Sequence, residues 1–125
     1  MKVKGIDHVQ VAMPKGKEAE ARYFYSNVLG LTEVEKPESL KSNGGLWFED
    51  ISLRLHLGVD ENFIPAKKAH PGLEVEDLAS FRSTLTENGC LVLEGSGLNG
   101  QERIFTEDPF GNRIELVERT FTDET

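Results

Sequence analysis

The sequence predicts an α+β fold of two tandem βαβββ modules, whose strands form a curled mixed-sheet cup with the helices on its outer face. Two observations carry this. The same order of signals occurs twice at a period of about 60 residues: His8 and His70 are 62 apart, Gly30 and Gly89 are 59 apart, and Arg54-Leu55-His56-Leu57 corresponds to Arg113-Ile114-Glu115-Leu116 at 59. Each half also opens on an alternating strand pattern, continues into a helical apolar stripe and stops at a glycine. The 125 residues predict one domain, 1–125, with modules at about 4–59 and 68–119, large enough to bury a core without metal or disulfide staples.

Residues 5–12 alternate as a first strand until Pro14 and Gly16 break it. From Glu18 to Leu29 the spacing predicts a helix, with Ala21, Phe24, Tyr25, Val28 and Leu29 on one stripe and Gly30 as its left-handed stop. Residues 31–34 read as a short strand, 37–45 as a polar loop, and 46–49 with 52–57 as a hairpin. The second half repeats this. Residues 70–75 form a strand, and Asp77 caps a helix to about Asn88 with Leu78, Phe81 and Leu85 inward. Strand 91–93 and a Gly-rich loop, 94–100, follow. The last hairpin, 102–106 with 113–118, turns through Asp108-Pro109-Phe110-Gly111-Asn112. The polar tail, 120–125, is expected to fray.

Strand alternation then sorts the polar residues. Leu53, Leu55 and Leu57 pack on helices, so Arg54 and His56 face away from them. Val9 and Val11 leave His8 and Gln10 opposite, Leu73 and Val75 leave His70 and Glu74, and Ile114 and Leu116 leave Arg113 and Glu115. All three histidines of the chain and Glu115 therefore face away from the helices, as two repeat-related pairs. Imidazoles with a carboxylate suit a divalent Zn, Ni, Fe or Mn ion, and the absence of thiolates argues against a closed structural zinc site. His8, His70 and Glu115 are the first candidates as ligands. His56 is either a fourth ligand or a contact to substrate or water. Arg54 and Arg113 are either cavity cations or partners of nearby carboxylates, and Glu74 and Glu107 are bystanders.

The formal net charge of −8 excludes a nucleic-acid partner of the usual kind, which needs a basic patch. No apolar run approaches the roughly 20 residues that cross a bilayer, and no signal-peptide pattern opens the chain, so a cytoplasmic location is expected. Cys90 is the only cysteine, which rules out an internal disulfide. With no cation adjacent, it reads as a buried small apolar residue rather than a reactive thiol.

Four segments together resemble the vicinal oxygen chelate superfamily, the glyoxalase, bleomycin-resistance and extradiol-dioxygenase group. They are Asp7-His8-Val9-Gln10-Val11, Phe24-Tyr25-Ser26-Asn27-Val28-Leu29-Gly30-Leu31, His70 through Leu78, and Asp108-Pro109-Phe110-Gly111-Asn112-Arg113-Ile114-Glu115-Leu116. The resemblance covers nearly the whole chain and implies a metal held by His8, His70 and Glu115. In glyoxalase I and related isomerases a Glu or Gln from the fourth strand adds a ligand; His56 stands there, a departure from that pattern. Fosfomycin-modifying relatives carry Thr where this chain has Gln10. The implied activity is metal-dependent lyase or isomerase chemistry on a small oxygen-rich substrate, with Glu115 able to move a proton. The alternatives are a ring-cleaving dioxygenase, and a non-enzymatic small-molecule binder whose cup is lined by Gln10, Trp47, Arg54, Arg103 and Phe105. A homodimer is the implied assembly.

Overall fold

A computed structural model describes residues 1–97 and 100–119; residues 98–99 of the Gly-rich loop and the tail expected to fray lie outside the described residues. The chain divides into two compact units, Met1–Pro65 and Ala66–Thr125.

In the first unit the order is β1 (Val9–Met13), α1 (Glu18–Arg22), a π-helical continuation (Tyr23–Val28), β2 (Glu33–Val34), a 3-10 helix (Glu38–Asn43), β3 (Leu46–Glu49) and β4 (Arg54–Val59). The strands lie in the order β1-β4-β3-β2, with β1 parallel to β4 and the other pairs antiparallel. The first strand is shorter at its start than alternation predicts. Its first ladder pair is Val9 with Leu55, and β4 itself begins at Arg54. A strand lasts only as long as its partner, so residues 1–8 have no regular structure. The helix also departs from the simple pattern. Its apolar stripe of Ala21, Phe24, Tyr25, Val28 and Leu29 is kept, but from Tyr23 to Val28 the turn is π-helical. The Leu29 N–H reaches back five residues to the Phe24 carbonyl at 2.9 Å. Phe24, Tyr25, Val28 and Leu29 all point inward, each 6% exposed or less. They pack with Leu46, Phe48, Leu55 and Leu57, and Tyr25 meets Phe48 at 5.6 Å between ring centroids. Each such burial stabilises the fold by about 1.5–3 kcal/mol. The loop expected at 37–45 contains the 3-10 helix.

In the second unit, β5 (Gly72–Glu74), α2 (Leu78–Glu87), β6 (Leu93–Glu94), β7 (Gln101–Glu107) and β8 (Arg113–Arg119) follow. The sheet order is β5-β8-β7-β6, again with the outermost pair, β5 and β8, parallel. Each unit thus carries its own four-stranded mixed sheet, as two tandem βαβββ modules predict. Asp77 caps α2 as its position predicts: its carboxylate accepts from the Ser80 N–H at 3.3 Å and the Ser80 hydroxyl at 2.7 Å. Those bonds hold the Asp77 carboxyl below its ordinary value, the hydroxyl contributing most. Glu118 adds a second cap, accepting from the Leu78 N–H at 2.8 Å. Leu78, Leu85, Ile104, Ile114 and Leu116 make the core, all fully buried. Gly30 and Gly89 close the two helices at φ of 80° and 71°, the left-handed conformation expected of them. Among the described residues no helix is long and apolar enough to cross a membrane.

Candidate functional site

In the first unit the register sets Gln10, His56 and Trp47 side by side across three strands. Leu55 and Leu57 take the core side, so this row takes the opposite one. His56 is nevertheless buried, because rings cover it. The Trp47 indole stacks on it at 4.0 Å with 4° between planes, and His8 stacks on it at 4.7 Å and 21°. Two rings this close and this parallel to His56 occupy its opposite faces, which makes a column of three. The His56 Nε2 donates to Glu49 Oε2 at 2.7 Å; a carboxylate only accepts, so that nitrogen bears the proton. His8 donates from Nδ1 to Asp7 Oδ2 at 2.9 Å, and Arg54 holds Asp7 Oδ1 at 2.9 Å. The His8 hydrogen bond, followed by the Arg54 charge, keeps the Asp7 carboxyl below its ordinary value. Beside the row a groove of about 760 Å³ is lined by Gln10, Trp47, Lys36, Leu40 and Gly58. A Cβ at Gly58 would come within 2.6 Å of the Gln10 amide nitrogen, so any larger residue there would push the Gln10 side chain aside.

In the second unit the corresponding row is Gly72, Glu115 and Phe105. His70 precedes Gly72 by two residues, as His8 precedes Gln10. Its Nδ1 donates to the Lys68 carbonyl at 2.9 Å, and its Nε2 lies 2.8 Å from Glu115 Oε1. Arg103 takes the other carboxylate oxygen, Nη1 to Oε2 at 2.6 Å. Among the described residues the buried Arg103 Nε has no acceptor. Phe105 meets the His70 ring edge-on at 5.8 Å, and the Arg113 guanidinium lies 4.0 Å from the Phe105 centroid, a cation–π contact.

The structure thus brings His8, His56, Gln10 and Trp47 together in one unit, and His70, Glu115, Arg103 and Phe105 in the other. Arg54 turns out to be a partner of a carboxylate, Asp7. Cys90 is half-buried rather than fully enclosed, and burial pushes its thiol up, which makes it less reactive than a free cysteine.

Among the described residues no three His, Cys, Asp or Glu side chains are gathered closely enough to hold an ion. The donor chemistry of each half still suits one. Histidines that bind metals usually have their second nitrogen fixed by an oxygen, and both His8 and His70 have Nδ1 so fixed, so Nε2 is the nitrogen that would bind, in His70 by replacing its contact with Glu115. An ion bonded at about 2.0–2.2 Å separates neighbouring donors by about 3 Å, close to the 2.8 Å between His70 and Glu115. His56 fits differently. An imidazole lone pair lies in the ring plane, and the His8 and His56 planes are nearly parallel. Sharing one ion would require one ring to turn out of the column.

Sequence reasoning missed Glu49 and gave Asp7 no role. The signal for Glu49 was present: it follows Trp47 by two residues on a strand, so it shares the face of His56 across the hairpin. Asp7 carried no such signal, because it precedes β1 and only the folded chain shows its neighbours.

Residues 5–116 match the family described as the Glyoxalase/Bleomycin resistance protein/Dioxygenase superfamily. The chain is 34% identical over 113 residues to a probable chloroplastic lactoylglutathione lyase of Arabidopsis thaliana; the match takes in 81% of this chain but spans only about a third, 32%, of that protein. Among solved structures, a Bacillus anthracis protein assigned to the glyoxalase family aligns with a TM-score of 0.89 at 44% identity, over 95% of this chain and 98% of that one. The fold is also that of a glyoxalase/dioxygenase from Nostoc punctiforme, with a TM-score of 0.74 at 21% identity over 93% and 91% of the two chains. The fosfomycin resistance protein FosX from Listeria monocytogenes shares it at 0.74 and 13% identity, over 92% and 91%.

Proposed function

The chain belongs to the Glyoxalase/Bleomycin resistance protein/Dioxygenase superfamily, and from that premise we propose that it is a metal-dependent enzyme of lyase or isomerase type acting on a small oxygen-rich molecule. The observation that supports this most is the paired anchoring of His8 and His70, each with Nδ1 tied to an oxygen, with His70 Nε2 already facing the Glu115 carboxylate. The proposed ligands are His8, His70 and Glu115, with His56 as a fourth once its ring leaves the column. A divalent ion there would act as a Lewis acid on two neighbouring substrate oxygens. The chain supplies the rest. Arg103 fixes one oxygen of Glu115 and leaves the other to face His70, so a proton moved by Glu115 travels through Oε1. Gln10 and Trp47 offer an amide and an aromatic wall to the substrate body in the groove of the first unit.

The test is metal analysis of untagged protein, followed by an assay for lactoylglutathione lyase activity, the activity named for the Arabidopsis relative. Stoichiometric metal, lost in His70→Ala and Glu115→Ala variants that still fold, supports the reading. A metal-free protein that binds an aromatic ligand would refute it in favour of a sequestering protein.

A further inference from the structure

The turn at 108–112 holds more than its hairpin needs. Asp108 Oδ1 accepts from the Phe110 N–H and the Asn112 N–H, both at 2.9 Å. The equivalent turn of the first unit closes in the same way with an aspartate alone: Asp50 Oδ1 accepts from the Ser52 N–H at 2.8 Å and the Leu53 N–H at 2.9 Å. The Asn112 side chain is therefore surplus to the turn, yet it is 1% exposed. A buried amide is expected to satisfy its donors and acceptors internally. Asn112 does so in two directions. Its Nδ2 donates to Asp108 Oδ2 at 2.9 Å, and its Oδ1 accepts from the Ala66 N–H at 2.9 Å.

Ala66 begins the segment that delivers His70. Its carbonyl accepts from the Arg113 N–H at 2.9 Å, and five residues later the Pro71 carbonyl accepts from the Glu115 N–H at 3.1 Å. On β8 those two anchors are two residues apart, roughly 7 Å. Five residue steps over so short a span must bow outward. The bow carries Lys68, whose carbonyl fixes His70 Nδ1, and His70 itself, which meets Glu115 on the strand that Asn112 precedes.

The geometry points to Asn112 as a positioning residue for His70: we propose that its side chain pins the start of this bow, and so sets the ring orientation that presents Nε2 to Glu115. The functional weight of that orientation rests on the proposed role of His70 as a ligand; the pinning itself does not.

The experiment compares Asn112→Ala with Leu85→Ala, a core substitution in α2. The Leu85 side chain is fully buried in α2, outside the bow. Both are expected to lower the melting temperature. In the folded state of Asn112→Ala, the His70 Nδ1–H resonance, read by ¹⁵N-resolved imidazole NMR without metal, should broaden or vanish relative to wild type. Zinc affinity by calorimetry should fall about tenfold, the usual scale for losing an outer support of a ligand. Leu85→Ala should keep the resonance and, within about twofold, the affinity. The double variant Asp108→Asn with Asn112→Asp restores a donor facing an acceptor in reversed order, and it should regain the resonance that Asn112→Asp alone loses. An unchanged His70 resonance in Asn112→Ala, or the same loss in Leu85→Ala, would overturn the proposal. A resonance that responds as expected in a protein that binds no zinc would uphold the pinning and sink the metal reading instead.

Discussion

The two halves place a histidine at the same point, two residues ahead of a cross-strand row, and hold it in opposite ways. In the first unit the acceptor for His8 is a side chain, Asp7, itself held by Arg54; the Asp7 and Arg54 side chains are 75% and 52% exposed. In the second unit the acceptor for His70 is a main-chain carbonyl in a segment stitched down by a buried asparagine. The rows differ as well. His56 sits in a column of rings with its Nε2–H donating to Glu49, whereas Glu115 is divided between a histidine and an arginine. A repeated fold fixes where a side chain starts. The neighbours, which the repeat does not copy, fix what it can do.

The largest expected effect comes from removing one donor of each half at once. His8→Ala with Glu115→Ala should abolish stoichiometric metal binding, measured by elemental analysis, while each single variant weakens it by about tenfold or more. If the second half alone held the ion, His8→Ala would bind as wild type and the halves would not be equivalent contributors.

Next in size is the contrast between the two arginines. Arg103 is 20% exposed and faces a carboxylate that is 9% exposed. Arg103→Ala leaves the buried Glu115 carboxylate facing His70 alone of these two partners and should cost about 2–3 kcal/mol in urea unfolding. Arg54→Ala removes an exposed pair and should shift the midpoint far less. Equal costs would mean that burial does not distinguish the two anchors.

Smaller again is the effect of opening the ring column. If His56 becomes a ligand, His56→Leu should weaken metal binding about tenfold, or roughly 1.4 kcal/mol, with His56→Gln between. Wild-type affinity in a folded His56→Leu would make His56 a wall of the pocket and leave a three-ligand site with open positions.

Much of this comparison was legible in the sequence. Alternation in residues 53–57 and 113–117 put Leu55, Leu57, Ile114 and Leu116 on the core side, and the period near 60 paired His8 with His70 and His56 with Glu115. Strand periodicity is a property of the chain itself, so it survives into the fold. The π-helical widening at residues 23–28 was not legible, because the apolar spacing there is the same as that of a regular α-helix. The short start of β1 was hidden for a related reason, since a strand's end depends on the length of its partner. The second nitrogen of each histidine was out of reach too. Asp7, Glu49 and the Lys68 carbonyl become partners through ring orientation, which sequence position alone does not set.

The smallest expected effect isolates the two anchors themselves, and it follows from the titration of Asp7. Its carboxyl is held below the ordinary value of 3.8. A carboxylate whose value is depressed by folding stays charged, and keeps its partners, at every pH above the ordinary range. The contribution is lost as the pH falls through the lowered folded value. The His8 Nδ1–H should therefore remain hydrogen-bonded from neutrality to below pH 3.8 and then exchange rapidly, if the domain is still folded there. The acceptor of His70 is a carbonyl, which does not titrate in this range, so its Nδ1–H has no such step of its own. Salt should separate the pair in the same direction. At 1 M the screening length falls to about 3 Å, which weakens the exposed attraction of Arg54 for Asp7 and leaves a main-chain hydrogen bond untouched. Imidazole NMR across pH and salt reads both anchors in one sample. If the two resonances move together, the anchors are equivalent, and the difference between the halves lies in their rows alone.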